Sequence, residues 1–280
     1  MTIALPSFDP RLAQIAAQST LLVLIMTTTD FGPSWLQALS FIAVTLAMDA
    51  ARAGLTNTAL NWKSAVPTGL SLSLLLRTHE PALWVAAGVL AMGSKYLPRI
   101  GGKHVFNPSC FAIAALLLLA APHVWVSPGQ WGTRPWLIAL VFCMGGAVLS
   151  RARRLDIALT FLASFAALLL GRALSLGDPL AIPLHQMQSG ALLIFGCFML
   201  TDPRATPDSR AGRMVFAAAA ASAAYILMFW FQLREGLFYA LMLTSCATPL
   251  LDRILPGPRF AWPSHQGVEP SCVLLPASSA

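Results

Sequence analysis

The sequence predicts an all-α membrane protein with about ten transmembrane helices. Hydrophobic residues make up 57% of the 280 residues, while charged residues make up only 10%, too few to cover the surface of a soluble protein of this size. Ten stretches are apolar enough to lie in a bilayer. Of the 29 charged residues only Asp49 falls inside them, as the cost of burying charge in lipid demands.

The ten stretches differ in length, and three of them are short. They span residues 13–29, 34–51, 65–76, 81–94, 105–121, 136–150, 157–171, 187–200, 214–231 and 236–251. A helix needs about 20 residues to cross the hydrocarbon core, so we expect short broken helices near 65–94 and 187–200. Residues 254–280 are rich in Pro, Ser and Ala, which predicts a disordered cytoplasmic tail.

The distribution of basic residues predicts the orientation of the chain. Alternate connections carry fourteen of the 18 Lys and Arg residues on one side and four on the other. Cytoplasmic loops are enriched in Lys and Arg, so we expect a multi-pass protein of the inner (cytoplasmic) membrane with both termini cytoplasmic. This interpretation also accounts for the net charge of +7, so the expected partner is the lipid bilayer and no nucleic acid.

The two halves of the chain show a weak internal similarity. Thr68-Gly69 and the leucine-rich run after it resemble Ser189-Gly190 and the apolar run that ends at Thr201. Because five is an odd number, a second half of five helices would enter the membrane in the orientation opposite to the first half. This predicts two inverted five-helix repeats. Their predicted ranges are 1–131 and 132–253. The alternative is chance similarity between apolar helices that use small residues for packing.

A polar motif, Lys103-His104-Val105-Phe106-Asn107-Pro108-Ser109, opens the fifth stretch. Asn107 followed by Pro108 is typical of a helix N-cap with proline at the first helical position, and an ordinary helix start would explain the pair. The alternative is an anion site, in which Lys103 and His104 lie beside the free N–H groups of the helix start.

A second motif, Thr201-Asp202-Pro203-Arg204, leaves the eighth stretch on the same predicted side of the membrane. Pro203 and Pro207 indicate an ordered loop, and the arginines of this connection, Arg204, Arg210 and Arg213, would bind lipid headgroups or line a cofactor pocket. The cysteines stand singly, without a His/Cys cluster, so no metal site is expected. No hydrolase or phosphate-binding motif is present, and no catalytic side chain is expected, so a cofactor would supply any chemistry.

These motifs resemble the signature stretches of the NqrB and RnfD family, the membrane subunits of the sodium-pumping NADH:quinone oxidoreductase and of the Rnf electron-transport complex. The resemblance covers most of residues 13–252 and is closest to stand-alone RnfD-like proteins. It implies ten helices as two inverted repeats, and a flavin, FMN or riboflavin. The cofactor-binding residues expected from it are Thr68, Gly69, Lys103, Phe106, Asn107, Pro108, Ser189, Gly190, Thr201, Asp202 and Pro203.

The chain departs from the family at the threonine that carries a covalent FMN. The family places a Ser-Gly-Ala-Thr acceptor in the connection after the fifth helix, where this chain has only Thr133, in Trp-Gly-Thr-Arg. Thr248 lies in a similar stretch, Ser-Cys-Ala-Thr, but in the last helix of the other half. The resemblance therefore favours a non-covalent flavin, and a chain without flavin stays an alternative.

Three functions remain open on the sequence. The favoured one is a flavin-associated electron-transport subunit that works with other redox subunits or a soluble reductase. The second is a transporter or channel for a small solute or ion, which would use the interface between the inverted repeats. The third is a membrane scaffold for a reductase.

Overall fold

The computed structural model describes residues 9–28, 32–97, 99–127 and 135–261, and most of these residues are helical. A helix lies in each of the ten predicted apolar stretches. The helices are α1 Pro10–Thr28, α2 Trp35–Thr56, α3 Trp62–Leu75, α4 Pro81–Tyr96, α5 Pro108–Leu119, α6 Pro135–Ala152, α7 Leu155–Leu176, α8 Ala181–Met187, α9 Gly190–Ile194, α10 Arg210–Phe229, α11 Gly236–Ser245 and α12 Thr248–Ile254.

Three of these helices, α2, α7 and α10, are long and apolar enough to cross a membrane, by length and composition. Shorter apolar helices lie at Pro108–Leu119, Trp136–Ala152, Gly190–Met199 and Gly236–Ser245. Large apolar side chains also face outward, for example Leu36 on α2 and Leu174 on α7, as lipid requires. The chain is thus a multi-pass membrane protein, while the count of ten crossings and the inverted repeats stay predictions.

The helices in the two regions predicted to be broken are short. Helix α3 has 14 residues, about 21 Å of rise, which is less than the hydrocarbon thickness. The stretch 187–200 contains the end of α8, a break at Gln188 and Ser189, and then α9. Helix α9 continues into a π-helical turn, Phe195–Met199, in which the Leu200 N–H donates to the Phe195 carbonyl at 2.9 Å. Such π-turns often occur at functional sites.

The all-α prediction was wrong in one respect, because the structure also contains two small β-sheets. Strand β1 (Leu76–Thr78) pairs antiparallel with β4 (Val124–Val126), and β2 (Arg99–Ile100) pairs with β3 (Lys103–His104). Each sheet has two strands, too short to leave a period-two signal in the sequence. Strand β1 directly follows the C-terminal end of α3, so its pairing with β4 satisfies backbone groups that the broken helix leaves open.

The buried side chain of Arg77 closes the C-terminal end of α3. Its guanidinium donates to the carbonyls of Ser73 at 2.8 Å, Leu74 at 3.1 Å and Leu76 at 2.9 Å. These carbonyls lie at the negative end of the helix dipole, where a positive charge is favourable. A charged residue at the end of this apolar stretch therefore has a structural role in ending the helix.

Candidate cofactor site

A cavity of about 510 Å³ lies at the end of the molecule where α1, α3 and α5 begin and α2 and α4 end. This is the end that the basic loops predict to be cytoplasmic. The cavity is within the ~300–1,000 Å³ range of ligand pockets. Its walls include the first turns of α3, the last turn of α4, the start of α5, the second half of α6, and the π-turn with the loop after it.

The cavity lining is strongly basic. Six basic side chains line it, against two carboxylates, Asp49 and Asp202; the basic residues are Arg11, Arg52, Lys63, Lys95, Arg99 and Arg204. Three aromatic residues, Trp62, Tyr96 and Phe198, also contribute to the walls. A cavity with this lining suits a ligand that combines a planar ring system with negative charge.

Asp202 joins the two predicted motifs across the cavity. Its carboxylate accepts hydrogen bonds from His104 Nε2 at 3.0 Å, from Asn107 Nδ2 at 3.3 Å and from the Arg204 N–H at 3.0 Å. Burial raises the pKa of Asp202, but the charge and hydrogen bond of His104 and the Arg204 N–H outweigh it, so the pKa is lowered. Asp202 is therefore an ionised anchor between β3, the start of α5 and the loop after the π-turn.

The lowered pKa of Asp202 predicts a pH dependence of stability. A depressed carboxyl pKa adds stability that is fully present above the unfolded value of 3.8 and is lost as the pH falls through the folded value. We expect acidification from about pH 5 to pH 3 to destabilise the wild type more than Asp202→Asn, which cannot titrate at this position. Thermal unfolding in detergent across this range measures the difference, and parallel curves would contradict it.

Asn107 caps α5, as the simpler interpretation of its motif predicted. Its Oδ1 accepts hydrogen bonds from the Cys110 N–H at 3.0 Å and from the Ser109 hydroxyl at 2.9 Å. Its Nδ2 donates to Asp202, so both polar atoms of the side chain are hydrogen-bonded. The start of α5 consequently offers few free donors to an anion.

Asp49 forms a second anchor, although in the sequence it lies near the end of its apolar stretch. Helix α2 continues to Thr56, so Asp49 lies two turns inside it. The carboxylate accepts from Arg52 Nε at 3.2 Å, from the Tyr96 hydroxyl and from the Asn61 N–H. These bonds fix the end of α4 and the start of α3 against α2.

Lys95 is a buried basic residue of the cavity, and its ammonium forms no ion pair with a carboxylate. It is 6% exposed, and its Nζ donates to Ser64 Oγ at 2.8 Å. Among the described residues no carboxylate lies within ion-pair distance of this ammonium. The carboxylates of Asp49 and Asp202 share the cavity but already accept bonds from other donors.

The second half of the chain matches a known protein family. Residues 126–260 match the model of the NQR2, RnfD, RnfE family. This part of the chain is therefore similar to that family. It includes the π-turn, the Asp202 loop and α10 to α12, but not the Asn107 motif.

Several relatives each bear the name of the D subunit of an ion-translocating oxidoreductase complex. The protein of Stutzerimonas stutzeri is 25% identical over 265 residues, covering 68% of this chain and 73% of that protein. Those of Citrobacter koseri and of Escherichia coli K12 are 32% and 28% identical over 124 and 123 residues, each covering 44% of this chain. This chain spans about a third of the length of these two relatives, 34% in each case. The resemblance to RnfD is confirmed at modest identity.

Six of the eleven residues expected from the family resemblance line the cavity, namely Thr68, Asn107, Pro108, Thr201, Asp202 and Pro203. The other five, Gly69, Lys103, Phe106, Ser189 and Gly190, lie outside its lining. The Thr201 hydroxyl donates to the Cys197 carbonyl at 2.7 Å, which ties the loop to the π-turn.

The five residues outside the lining have structural surroundings of their own. Phe106 packs on Phe111, with ring centroids 5.4 Å apart. Gly190 begins α9, eleven residues before Thr201 and so about 16 Å away along the helical segment. A Cβ at Gly69 would lie 2.8 Å from Ile42 Cα and from Thr45 Oγ1, so this glycine allows α3 to approach α2.

Lys103 belongs to an ion-pair network beside the cavity. Its Nζ lies 3.1 Å from Asp208 Oδ1 and 2.8 Å from Asp252 Oδ2, and donates to the Thr206 carbonyl at 2.8 Å. Arg154 lies beside this network: its guanidinium donates to the Pro207 carbonyl at 3.3 Å and lies 4.9 Å from the Phe260 ring. Burial, together with the charge of Arg213, lowers the pKa of Arg154 to about 10. The network joins β3 to α12 and to the loop before α10.

Of the two threonines considered as attachment points for a covalent flavin, the structure describes Thr248. Thr133 lies outside the described residues. Thr248 begins α12, is buried, and donates its hydroxyl to the Ala205 carbonyl at 3.1 Å. A buried and hydrogen-bonded hydroxyl is a poor attachment point unless this contact opens.

Proposed function

We propose that the chain is a membrane subunit of an ion-translocating electron-transport complex, and that its basic cavity holds a non-covalent flavin. The observation that carries this proposal is the basic and aromatic cavity, on which the Asn107 and Asp202 motifs converge. The names of the relatives support the complex, since each is a subunit of an ion-translocating oxidoreductase. Other redox subunits or a soluble reductase would be its partners.

The residues present fit a flavin by the chemistry of their donors. Trp62, Tyr96 and Phe198 offer apolar or aromatic surface to a ring system, while Lys95 and the arginines offer positive charge. A bound flavin would supply one-electron and two-electron transfer. Asp202 and Asp49 hold the surrounding helix ends in place, which limits the movement of the walls.

Absorbance spectra of the detergent-purified protein, before and after acid precipitation, test this function. We expect a flavin absorbance spectrum, and release of the flavin into the supernatant because a non-covalent flavin is not retained by the precipitated protein. Flavin in the pellet would instead indicate a covalent bond at Thr133 or Thr248. A colourless protein from flavin-replete cells would contradict the proposed cofactor.

A polar stripe favours a second function, ion or solute passage through the same subunit. Thr68 and Ser71 line the cavity at helical spacing on α3, and the Gln18 amide donates to Ser71 Oγ at 2.8 Å. The Gln18 Oε1 atom is buried and has no hydrogen-bond partner among the described residues. The stripe leads from the cavity into the bundle, so we expect Ser71→Val to slow ion flux in proteoliposomes without removing flavin.

A further inference from the structure

Arg77 is a buried positive charge at the end of α3 that faces away from the cavity. It is 6% exposed, whereas His79 and Glu80, which follow it, are exposed and mark the far surface of the molecule. Within the described part of the chain, no carboxylate forms an ion pair with Arg77. Because a guanidinium stays protonated in proteins, Arg77 carries a full charge where water hardly reaches it.

Ending α3 does not require the charge of Arg77. Helices commonly end at a glycine, through neutral backbone hydrogen bonds, whereas burying an ion without a carboxylate partner is costly. The three carbonyls at the end of α3 engage the two Nη groups, and Nε is buried without a hydrogen-bond partner among the described residues. A buried charge that the helix end does not need points to a function of the charge itself.

Polar side chains lead from the cavity toward Arg77. Thr68 and Ser71 line the cavity, and the buried Oε1 atom of Gln18, whose amide donates to Ser71, has no partner in the described residues. Arg77 follows Ser71 by roughly 10 Å along α3. Its guanidinium reaches back to the Ser73 carbonyl at 2.8 Å. The polar path from Thr68 to Ser73 therefore ends at a positive charge, short of the far surface.

We propose that Arg77 is an electrostatic gate, which keeps cations from leaking across the membrane along the path from Thr68 to Ser73. The inference goes beyond the proposed function and does not depend on flavin, since any polar path into a bilayer must be closed to passive leak. A fixed positive charge repels a cation but not an anion. Two like charges about 10 Å apart, at an effective dielectric constant of about 20, repel with an energy equivalent to about a ten-fold change in rate.

Passive ion leak into liposomes that contain the purified protein tests the gate, with Na⁺ and Cl⁻ measured separately and no electron donor present. We expect the wild type to be as tight to Na⁺ as empty liposomes. Arg77→Gln should raise the Na⁺ leak by about ten-fold and leave the Cl⁻ leak unchanged, because its amide still donates hydrogen bonds but carries no charge. Arg77→Lys, which keeps the charge, should stay tight.

Arg172→Gln is the matched control, on the same predicted side of the membrane as Arg77. Arg172 is 35% exposed and pairs with Asp178 at 3.5 Å, so its loss should leave the leak of both ions unchanged. A Na⁺ leak equal to that of Arg77→Gln would overturn the gate, because any charge lost from this side would then have the same effect.

The ion selectivity of the leak separates a gate from a purely structural role of Arg77. Equal rises in the Na⁺ and Cl⁻ leaks of Arg77→Gln would show that the helix end has opened, which would overturn the gate. An Arg77→Gln variant as tight as the wild type would overturn it too. Where neither Arg77 variant folds, the wild type decides: tightness to Na⁺ supports the gate, and a Na⁺ leak overturns it while leaving the ion passage proposed above standing.

Discussion

Asp202→Ala is expected to lower the free energy of unfolding by about 2–4 kcal/mol. The substitution leaves His104 Nε2, Asn107 Nδ2 and the Arg204 N–H without their shared acceptor in a mostly buried place. It also separates the loop after the π-turn from the start of α5, so we expect the purified protein to lose its flavin. Thermal unfolding and flavin content, both measured in detergent, check the two effects.

Asp178→Ala is the matched control for this variant. Its carboxylate pairs with Arg172 at 3.5 Å, and the two side chains are 38% and 35% exposed. Exposed pairs of this kind contribute at most about 1 kcal/mol, so we expect a small change in stability and normal flavin content. Equal losses of stability in the two variants would contradict the anchoring role of Asp202.

Gly69→Ala is expected to destabilise the protein by about 1–3 kcal/mol, the usual cost of overpacking. The new Cβ would lie 2.8 Å from the Cα of Ile42, which is backbone and cannot rotate away. Helices α2 and α3 would have to separate at the point where α3 forms one wall of the cavity. Thermal unfolding in detergent measures the effect.

Gly93→Ala provides the comparison, because a Cβ at Gly93 meets no atom within 4 Å. Alanine is favoured over glycine inside a helix by about 0.5–1 kcal/mol, so this variant should be neutral or more stable than the wild type. A Gly69→Ala variant that unfolds like Gly93→Ala would show that α2 and α3 do not pack closely at Gly69.

Hydropathy predicted where the helices lie, because lipid excludes nearly all charge from the apolar stretches, which leaves a strong signal in the sequence. The Asn107 and Asp202 motifs were predicted to lie on the same side of the membrane, and the structure brings the two side chains to 3.3 Å although they lie 95 residues apart. Capping chemistry identified Asn107 correctly as the residue before the first turn of α5.

The rest of the site depends on helix ends and directions that hydropathy does not determine. Lys95 directly follows the predicted stretch 81–94, so hydropathy places it in a connection, but α4 ends at Tyr96 and buries it in the cavity. Asp49 was visible as the single charge inside an apolar stretch, and this signal could have identified the second anchor. Lys103 lies in strand β3 of a short hairpin, and its side chain reaches Asp208 and Asp252.

The flavin content of a cavity-filling variant tests the central claim most directly. Thr68 lines the cavity and is 7% exposed, so Thr68→Trp would place an indole where the cofactor is proposed to lie. Leu174→Trp, at a position 73% exposed on α7, adds the same ring on the outer surface. We expect acid-released flavin from the wild type and Leu174→Trp, and a near-complete loss from Thr68→Trp that elutes as a folded protein on gel filtration. Equal flavin in all three proteins would show that the flavin does not occupy this cavity.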